Sequence, residues 1–334
     1  MRDYIVRRLL ILVPVMIGVS LLTFSLFNII PGDACVLRLG FGSTPETLKD
    51  CREQHGLNEP LFPITVNTDL PVVHLQGSQY GDWLWDIVWH QDLGQSLAEG
   101  GARVSDELER RLPVTLELMI LTILLSLVLG IVPGMISAMR PNTPLDWAAR
   151  IVSVLWLSIP SFYLAILMIT FGLLWFDWTP PQFGTGYVPI YEDPWINMQQ
   201  FFFPSLVLSV GIAAVIMRLT RSAMLEVLRN DYIRTAWSKG LRERTVVWRH
   251  ALKNALIPVV TLIGLQIGAL IGGAVIIESV YNLNGVGKYT LEAIIRRDLF
   301  VVQSLTLLFA GVYVLSNLMV DVAYAWLDPR IHYN

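Results

Sequence analysis

The densest group of basic side chains in this sequence lies between Asp231 and Pro258. Its members are Arg234, Lys239, Arg242, Arg244, Arg249 and Lys253. Guanidinium and ammonium groups crowded on one short segment suit ionic and hydrogen-bonded contact with another protein. Gly240 interrupts a stretch that otherwise has the composition of a helix. We therefore predict two short helices, broken at Gly240, that present a docking surface to a partner.

Two strongly apolar runs, Phe201–Met217 and Ile257–Val280, flank this basic segment. Short loops between membrane spans collect Lys and Arg on the cytoplasmic side, so the segment is predicted to lie in the cytoplasm. An ordinary cytoplasmic loop would show the same charge bias. The ordered run with one glycine at its break favours the docking surface. Its predicted apolar contact residues are Ala236, Trp237, Leu241 and Val247.

Sequence motifs for catalysis are missing from the chain. It contains no Gly-x-x-x-x-Gly-Lys-Ser/Thr loop for ATP, no His-Glu-x-x-His, no Gly-x-Ser-x-Gly and no Cys-x-x-Cys. The histidines are scattered rather than clustered: His55, His74, His90, His250 and His332. We expect His250, in the basic segment, to be structural. Neither an enzyme activity nor a metal site is expected.

The composition places this chain of 334 residues among polytopic membrane proteins. Hydrophobic residues make up 54% of it and charged residues only 15%, and the mean hydropathy is +0.55. Several apolar runs have about the 20 residues that a bilayer-spanning helix needs. The predicted spans are Leu9–Ile30, Val114–Ala138, Ile151–Phe176, Phe201–Met217, Ile257–Val280 and Ser304–Trp326. An all-α membrane protein with six transmembrane helices is therefore predicted.

Basic residues also set the predicted orientation of these spans. Arg2, Arg7 and Arg8 precede the first span, which lacks the cleavage site of a signal peptide and so predicts an uncleaved helix with its N-terminus inside. An even number of spans then places both termini in the cytoplasm. Residues 31–111 form a long first outer loop in this arrangement.

Two spans carry features beyond hydrophobicity. The third is interrupted by Ser158-Ile159-Pro160-Ser161-Phe162, which predicts a kinked or locally unwound helix. In the fifth, Gly264, Gly268 and Gly272 recur every four residues and give one smooth helix face. Small residues at that spacing let helices approach closely in a membrane. The predicted packing partner of this face lies either within the chain or in a second subunit.

The cysteines, Cys35 and Cys51, both fall in the predicted outer loop. A disulfide is chemically permitted on that side of a membrane, but two free thiols fit the sequence equally well, because spacing alone cannot decide connectivity. Neither cysteine has histidine or acidic neighbours at zinc-binding spacing.

An aromatic amphipathic stretch, Tyr80–Trp89, lies in the same outer loop. Tryptophan is enriched at membrane interfaces, so we expect the stretch to pack there. Contact with a protein that delivers a substrate is the alternative.

The basic segment resembles the EAA loop of importer-type ABC permeases, in the version typical of the dipeptide, oligopeptide and nickel subfamily. Arg234-Thr235-Ala236 stands where that family has its Glu-Ala-Ala-like triplet, and Gly240 matches the glycine four residues later. His250–Pro258 resembles the helix that follows. Arg234 replaces the acidic residue of the general motif, and Pro258 lies further from the glycine than in sugar-type permeases. Both departures are usual for the peptide branch.

Other motifs extend the resemblance over nearly the whole chain. They are Ile30–Asp33, Gly56–Leu61, Asp92–Ser96, Thr220–Leu228 and Asp328–Ile331. Only Pro63–Gln79 has no counterpart and is interpreted as an insertion. By this resemblance, residues 1–31 are the N-terminal tip and first helix, residues 32–111 an outer region, and residues 112–330 a type I permease core that contains the coupling loop 231–258.

The resemblance implies the membrane subunit of an ATP-driven importer for peptides in a bacterial or archaeal plasma membrane. Its expected partners are a second permease, two ATPases that hold ATP and magnesium, and an outer solute-binding protein; no nucleic acid is expected. This chain itself would bind no cofactor. The expected coupling residues are Arg234, Thr235, Ala236, Lys239, Gly240, Leu241 and Arg244. Movement of their helix would reorient the spans by alternating access.

Polar residues within the spans are candidates for the translocation path, because such residues are costly unless they face a cavity or another helix. The principal candidates are Ser158, Ser161, Gln266 and Asn317, and the others are Asn28, Thr261 and Asp321. An interhelical hydrogen bond is the alternative for each.

Three other functions compete with a peptide importer. A nickel or oligosaccharide importer could use the same scaffold. An ion-coupled secondary transporter would need a carboxylate or cation site in mid-membrane and usually an inverted repeat, and the sequence shows neither. A membrane-embedded enzyme is disfavoured by the missing catalytic motifs.

Overall fold

The structure is a computed structural model, which describes residues 2–29, 34–39, 43–54, 57–62, 64–67, 70–73, 77–96, 98 and 101–327. The motifs Ile30–Asp33 and Asp328–Ile331, and the side chains of Asn28 and Asp321, lie outside what is described. Helices dominate the described residues, as the sequence predicts.

In chain order the elements are α1 (Arg2–Ile29), α2 (Ala34–Leu39), α3 (Pro45–Gln54), β1 (Ile64–Asn67), β2 (Leu70–Val73), α4 (Gln79–Trp85), a π-helical turn (Asp86–His90), α5 (Val104–Met139), α6 (Pro144–Ser158), α7 (Ser161–Phe176), α8 (Gln182–Thr185), α9 (Pro194–Val227), α10 (Asp231–Ser238), α11 (Glu243–Thr245), a second π-helical turn (Val246–Ala251), α12 (Leu252–Ala255), α13 (Ile257–Tyr281), α14 (Val286–Ile295) and α15 (Leu299–Leu327).

Four helices in the described part of the chain are long and apolar enough to cross a membrane: α5, α9, α13 and residues 299–319 of α15. Helices α6 and α7 together pass the same test as a bent pair, and α1 contains the shorter apolar run Leu10–Leu26. Each of the six predicted spans falls on one of these helices or on the bent pair, and five of the six pass the test if the pair counts as one span. The predicted all-α membrane architecture is therefore confirmed.

Local signals in the sequence explain where the long helices begin and end. The Asp193 carboxylate accepts hydrogen bonds from the Trp195 and Ile196 amides and caps the start of α9. Ile159 is extended because the following Pro160 disfavours helical geometry, so α6 stops there. The axes of α6 and α7 differ by 99° across this break, which is a sharper turn than a kink.

The second span is longer than the apolar run that predicts it. Helix α5 begins at Val104, ten residues before the predicted start at Val114. Arg111 Nε lies 2.9 Å from Glu107 Oε2, one turn earlier, and such pairs stabilise a helix beyond its apolar part. The hydropathy of the chain marks the part of the helix that suits a membrane rather than the whole helix.

A β-hairpin is the element that the all-α prediction omits. Strands β1 and β2 pair antiparallel, with Ile64 opposite Val73 and Asn67 opposite Leu70. Both strands lie within residues 63–79, the predicted insertion. Their β-branched residues favour strands, but runs of four residues are too short to stand out by periodicity.

The described residues fall into two compact units. The first contains residues 2–112 and 289–312, and the second contains residues 113–288 and 313–327. The two units are defined by which residues lie near one another, whereas the predicted boundaries at residues 31 and 111 were defined by motifs and membrane topology. The predicted boundaries therefore stay a prediction.

An aromatic core organises the first unit. Phe24 of α1 packs against Tyr80 and Trp83 of α4, with ring centroids 5.3 and 6.4 Å apart. The Tyr80 and Ser20 hydroxyls are 2.8 Å apart. This arrangement ties the aromatic stretch to the first span. Cys35 of α2 and Cys51 of α3 form a disulfide, which decides the alternative that the sequence leaves open.

Two apolar clusters organise the second unit. One joins residues 233–255 to the C-terminal ends of α5 and α9, and is called the loop cluster below. The other joins the N-terminal part of α5 to α7, α9 and α13 around Leu118, Phe201 and Tyr281. Helices α5 and α9 therefore contribute buried side chains to both clusters.

Candidate functional site

The predicted docking segment forms two helical parts separated at Gly240, as the sequence predicts. Helix α10 ends at Ser238, and a helical stretch resumes at Glu243. Gly240 has φ +72°, a left-handed conformation that glycine adopts without a steric penalty. A Cβ atom built on Gly240 would meet nothing within 4 Å. The requirement for glycine therefore comes from the backbone conformation alone.

One face of this segment is fixed to the long helices through the loop cluster. Ile233 is fully buried there. The other buried members from the segment are Ala236, Val246, Val247, Ala251, Leu252 and Ala255, and those from α5 and α9 are Met135, Ala138, Met224 and Val227. The segment is thus packed onto the ends of two spans, and a force on it would reach both.

The opposite face is exposed and combines large apolar with basic side chains. Tyr232 and Trp237 are each 43% exposed, and Trp248 is 53% exposed. Arg234 and Lys239 are exposed beside them. Aromatic side chains next to arginine are the composition that energetically important protein contacts favour.

The predicted contact residues divide between these two faces. Trp237 and Leu241 are exposed, as a docking role requires, whereas Ala236 and Val247 are buried in the loop cluster. Tyr232 and Trp248 were missed by the sequence analysis. Helical spacing could have identified the inward face, because Ile233 and Ala236 are three residues apart and lie on the same side of α10.

Charges on the exposed face are mostly available to a partner. Arg234 Nη1 lies 3.6 Å from Asp231 Oδ1, but both side chains are largely exposed, so water screens this pair. Among the described residues, no acidic group forms an ion pair with Lys239, Arg242 or Arg244. The Asn254 amide donates to the Tyr232 hydroxyl at 2.9 Å and links α12 to α10.

A buried ion pair lies next to the loop cluster. Arg221 Nε and Nη2 donate to Asp146 Oδ1 and Oδ2 at 2.7 and 2.9 Å. The Ser137 hydroxyl donates to the same carboxylate. The three residues belong to α9, α6 and α5, so the carboxylate joins three helices. No motif in the sequence linked these positions, since 75 residues separate Asp146 from Arg221.

A cavity of about 310 Å³ adjoins the break between α6 and α7. Ser161 and Gln266, two of the predicted path residues, line it, together with apolar residues of α9 and α13. Ser158 lies at the break, but its hydroxyl donates to the Val154 carbonyl oxygen at 2.8 Å. Asn317 of α15 is not among the described lining residues. The structure brings two of the four candidates together.

The glycines of α13 differ in their surroundings. A Cβ atom on Gly268 would overlap the ring of Tyr313 in α15, so this glycine permits close packing within the chain. A Cβ atom on Gly272 would meet nothing within 4 Å. Gly264 is buried. A role for this face towards a second subunit stays a prediction for Gly272.

Among the described residues, no group of three or more His, Cys, Asp or Glu side chains is placed to hold a metal ion.

Residues 126–333 match the family model of the binding-protein-dependent transport system inner membrane component, and residues 1–119 match its N-terminal companion model. The fold is similar to a chain of the MetNI methionine ABC transporter solved in inward-facing conformations, with a TM-score of 0.53 and 20% identity over 66% of this chain and 96% of that one.

Curated relatives match over the full length of both chains. The dipeptide transport system permease protein DppB of Alkalihalophilus pseudofirmus is 36% identical over 350 residues. A putative peptide transport system permease protein of Brucella suis is 37% identical over 335 residues, and the oligopeptide transport system permease protein AppB of Bacillus subtilis is 34% identical over 336 residues. With several membrane-spanning helices and these matches, the chain belongs to the family of inner membrane components of binding-protein-dependent transport systems and is a permease subunit of an ABC importer.

Proposed function

We propose that this permease moves di- and oligopeptides inward across a bacterial or archaeal plasma membrane, driven by ATP hydrolysed on partner subunits. The names of its full-length relatives support peptides as the substrate class, and the sequence offers no phosphate-binding loop of its own. One observation carries the coupling part of the proposal: the exposed aromatic and basic face at residues 232–248 is packed from behind onto two spans.

The working complex contains four kinds of protein in this proposal. A second, homologous permease pairs with this chain, and two ABC ATPases bind ATP and magnesium. A solute-binding protein delivers peptide from outside, and the lipid bilayer surrounds the spans. Both termini and the docking segment lie on the cytoplasmic side, where the ATPases are.

The docking segment acts as a coupling element because its exposed face contacts an ATPase and its inward face is fixed to the spans. Trp237, Leu241 and Arg234 of the exposed face contact an ATPase, and Thr235, Lys239 and Arg244 extend the polar part of that contact. Ala236, turned inward, fixes α10 to the spans instead. Gly240 lets the chain turn between the two helical parts without strain. Closure of the ATPases on ATP then moves α5 and α9 with the segment.

The cavity at the break between α6 and α7 is the proposed part of the translocation path in this chain. Ser161 and Gln266 supply hydrogen-bonding groups in a lining that is otherwise largely apolar. A lining with few polar groups suits peptides of varied sequence, because no single side chain is demanded. Alternating exposure of this cavity to the two sides would carry the peptide inward.

Transport by the reconstituted complex tests this function. The two permeases and two ATPases would be placed in proteoliposomes, with the binding protein and a radiolabelled dipeptide in the external medium. We expect peptide to accumulate only when ATP is enclosed in the proteoliposomes, on the side where the ATPases lie. Unlabelled di- and oligopeptides should inhibit this accumulation. Accumulation without the ATPases, or inhibition by nickel or oligosaccharides but not by peptides, would overturn the proposal.

A further inference from the structure

The carboxylate of Asp146 in the second unit is hydrogen-bonded through both of its oxygens. Its side chain is fully buried. Oδ1 accepts from the Ser137 hydroxyl and from Arg221 Nε. Oδ2 accepts from Arg221 Nη2 and from the backbone N–H of Asn142. We call Ser137, Asp146 and Arg221 the inner clamp. It touches neither the docking face nor the cavity, so neither accounts for it.

Helices α5 and α9 are already held together without this clamp. A Cβ atom on Gly130 would lie 2.6 Å from Ile216 Cβ, and one on Gly134 would lie 2.6 Å from the Met217 carbonyl oxygen. Contacts this close show that the two helices touch almost backbone to backbone. Because the loop cluster also joins their ends to the docking segment, the segment, α5 and α9 form one packed body.

Helix α6 packs against α9, and the clamp fixes its first turn to that body through charged hydrogen bonds. Asp146 is the third residue of α6, and the helix runs from there to Ser158 at the break. Twelve residues of helix span about 18 Å. The far end of α6 therefore borders the cavity, where Trp156 and Leu157 are part of the lining. The clamp lies at one end of a lever whose other end meets the proposed path.

A bidentate pair of arginine and carboxylate suits a joint of this kind. Two parallel hydrogen bonds fix the distance and the angle between the groups, whereas apolar surfaces can slide past one another. Buried ion pairs contribute little net stability compared with apolar packing, and specification of one arrangement is among their better supported uses. Arg150, in contrast, lies 3.6 Å from Asp146 Oδ1, stacks 4.0 Å from the Trp147 ring and remains 37% exposed.

We propose that the inner clamp is the joint through which movement of the docking segment is passed to α6 and so to the cavity at the helix break. Ser137, Asp146 and Arg221 are positioning residues in this scheme, since none of them contacts substrate. The inference rests on the proposed function for its direction of movement, from ATPase to path.

Distances between α9 and α6 test the joint without any transport measurement. Spin labels would be placed at Glu226→Cys, exposed on α9, and Leu157→Cys, exposed at the end of α6. Cys35 and Cys51 are bonded to each other and do not take label. In the full complex we expect one narrow distance that is the same with and without ATP, because α6 follows α9. Asp146→Asn should broaden the distribution.

The double variant Asp146→Asn/Arg221→Gln keeps the test decisive if single variants fail to fold. It removes both charges of the clamp, and the cation that remains beside position 146, Arg150, is 37% exposed, so the main cause of misfolding is reduced. Its neutral amides cannot restore the charged, bidentate contact, and the broad distribution should persist. Arg150→Gln is the matched control: it removes a charge near the same carboxylate but leaves the clamp intact, and its distribution should stay narrow.

Coupling provides the second readout. In proteoliposomes, we expect the peptide accumulated per ATP hydrolysed to fall about tenfold in the double variant, while assembly with the ATPases is unchanged. A narrow distance distribution or an unchanged ratio in that variant would overturn the joint. If the wild-type complex accumulates no peptide, the proposed substrate fails instead, and the distance measurement still decides the role of the clamp.

Discussion

Single residues in this permease are constrained for different physical reasons, and glycine shows the contrast. Gly240 is needed for its left-handed backbone, with open space around it, whereas Gly287 is needed for space. A Cβ atom on Gly287 would lie 2.8 Å from Val275 Cα and 2.9 Å from Glu278 Oε2. Substitutions at these two sites should therefore fail in different ways.

Replacement of Gly240 by valine should uncouple ATP hydrolysis from uptake while membrane insertion is unaffected. A β-branched residue at φ +72° costs about 1–2 kcal/mol, which the docking segment can relieve by changing the angle between its helical parts. The measurement is peptide uptake against ATPase activity in proteoliposomes. Gly240→Asn is the matched control, because asparagine tolerates this conformation, and it should retain most of the coupling. Normal uptake by Gly240→Val would contradict the coupling role.

Replacement of Gly287 by alanine should lower stability rather than coupling. Glu278 is fully buried, and its carboxylate accepts from the Thr115 hydroxyl and the Lys288 amide, so it cannot move aside freely. Overpacking at such a site costs about 1–3 kcal/mol. We expect a lower melting temperature of the purified complex. Gly184→Ala, where a Cβ atom meets nothing within 4 Å, should melt like the wild type. Equal melting of the two variants would show that the first turn of α14 is not tightly packed.

At the level of elements, helix α10 has one face buried in the loop cluster and an opposite, exposed face that we propose for docking. Its inward residues, Ile233 and Ala236, fix it to two spans, and its outward residues, Tyr232 and Trp237, are exposed. The pair α6 and α7 has a buried ion pair near the start of α6 and a cavity at the break between the two helices. In the proposed function, α10 joins a fixed contact to the surface that binds the ATPase, and α6 joins a fixed contact to the cavity that binds peptide.

Truncation of Trp237 to alanine should weaken binding of the ATPases without disturbing the fold. An exposed tryptophan at the centre of an interface contributes about 2 kcal/mol, which corresponds to roughly thirtyfold in Kd. The measurement is titration of detergent-solubilised permease with purified ATPase. Trp195→Ala is the control, because Trp195 is 71% exposed at the opposite end of α9 and should not affect Kd. Similar Kd values for both variants would place the ATPase contact elsewhere.

In the proposed function, the whole molecule receives work from its ATPase partners. The packed body of docking segment, α5 and α9 then offers a stiff route for that work towards the membrane. This scheme requires that the docking segment and the aromatic stretch of the outer loop lie on opposite sides of the membrane.

Labelling with a membrane-impermeant maleimide checks that orientation. Lys239→Cys should react in inside-out vesicles that hold the permease without its ATPases, and should remain unlabelled in intact cells, because basic short loops stay in the cytoplasm. Asn58→Cys, in the loop before α4, should show the reverse pattern. Both side chains are exposed, so accessibility to the reagent reports the side of the membrane. Labelling of Lys239→Cys in intact cells would refute the topology and, with it, the coupling mechanism.

Sequence alone determined the membrane class, the positions of the long apolar helices, the helix break at Pro160 and the two helical parts around Gly240. Each of these depends on hydropathy, proline or glycine, which act locally and can be read from neighbouring residues. The sequence analysis did not predict the extra turns of α5 or the β-hairpin, because charged helix turns and very short strands have only a weak hydrophobic pattern.

Only the tertiary structure decided which residues meet across long separations. The turning inward of Ala236, the pairing of Cys35 with Cys51, and the meeting of Ser137, Asp146 and Arg221 all depend on how helices pack. The partner of a buried charge depends on how the folded chain packs. The sequence spacing of two residues 75 positions apart does not show whether they meet. The helical segment broken at Gly240 was therefore predictable from the sequence, whereas its buried and exposed faces and the clamp behind it were not.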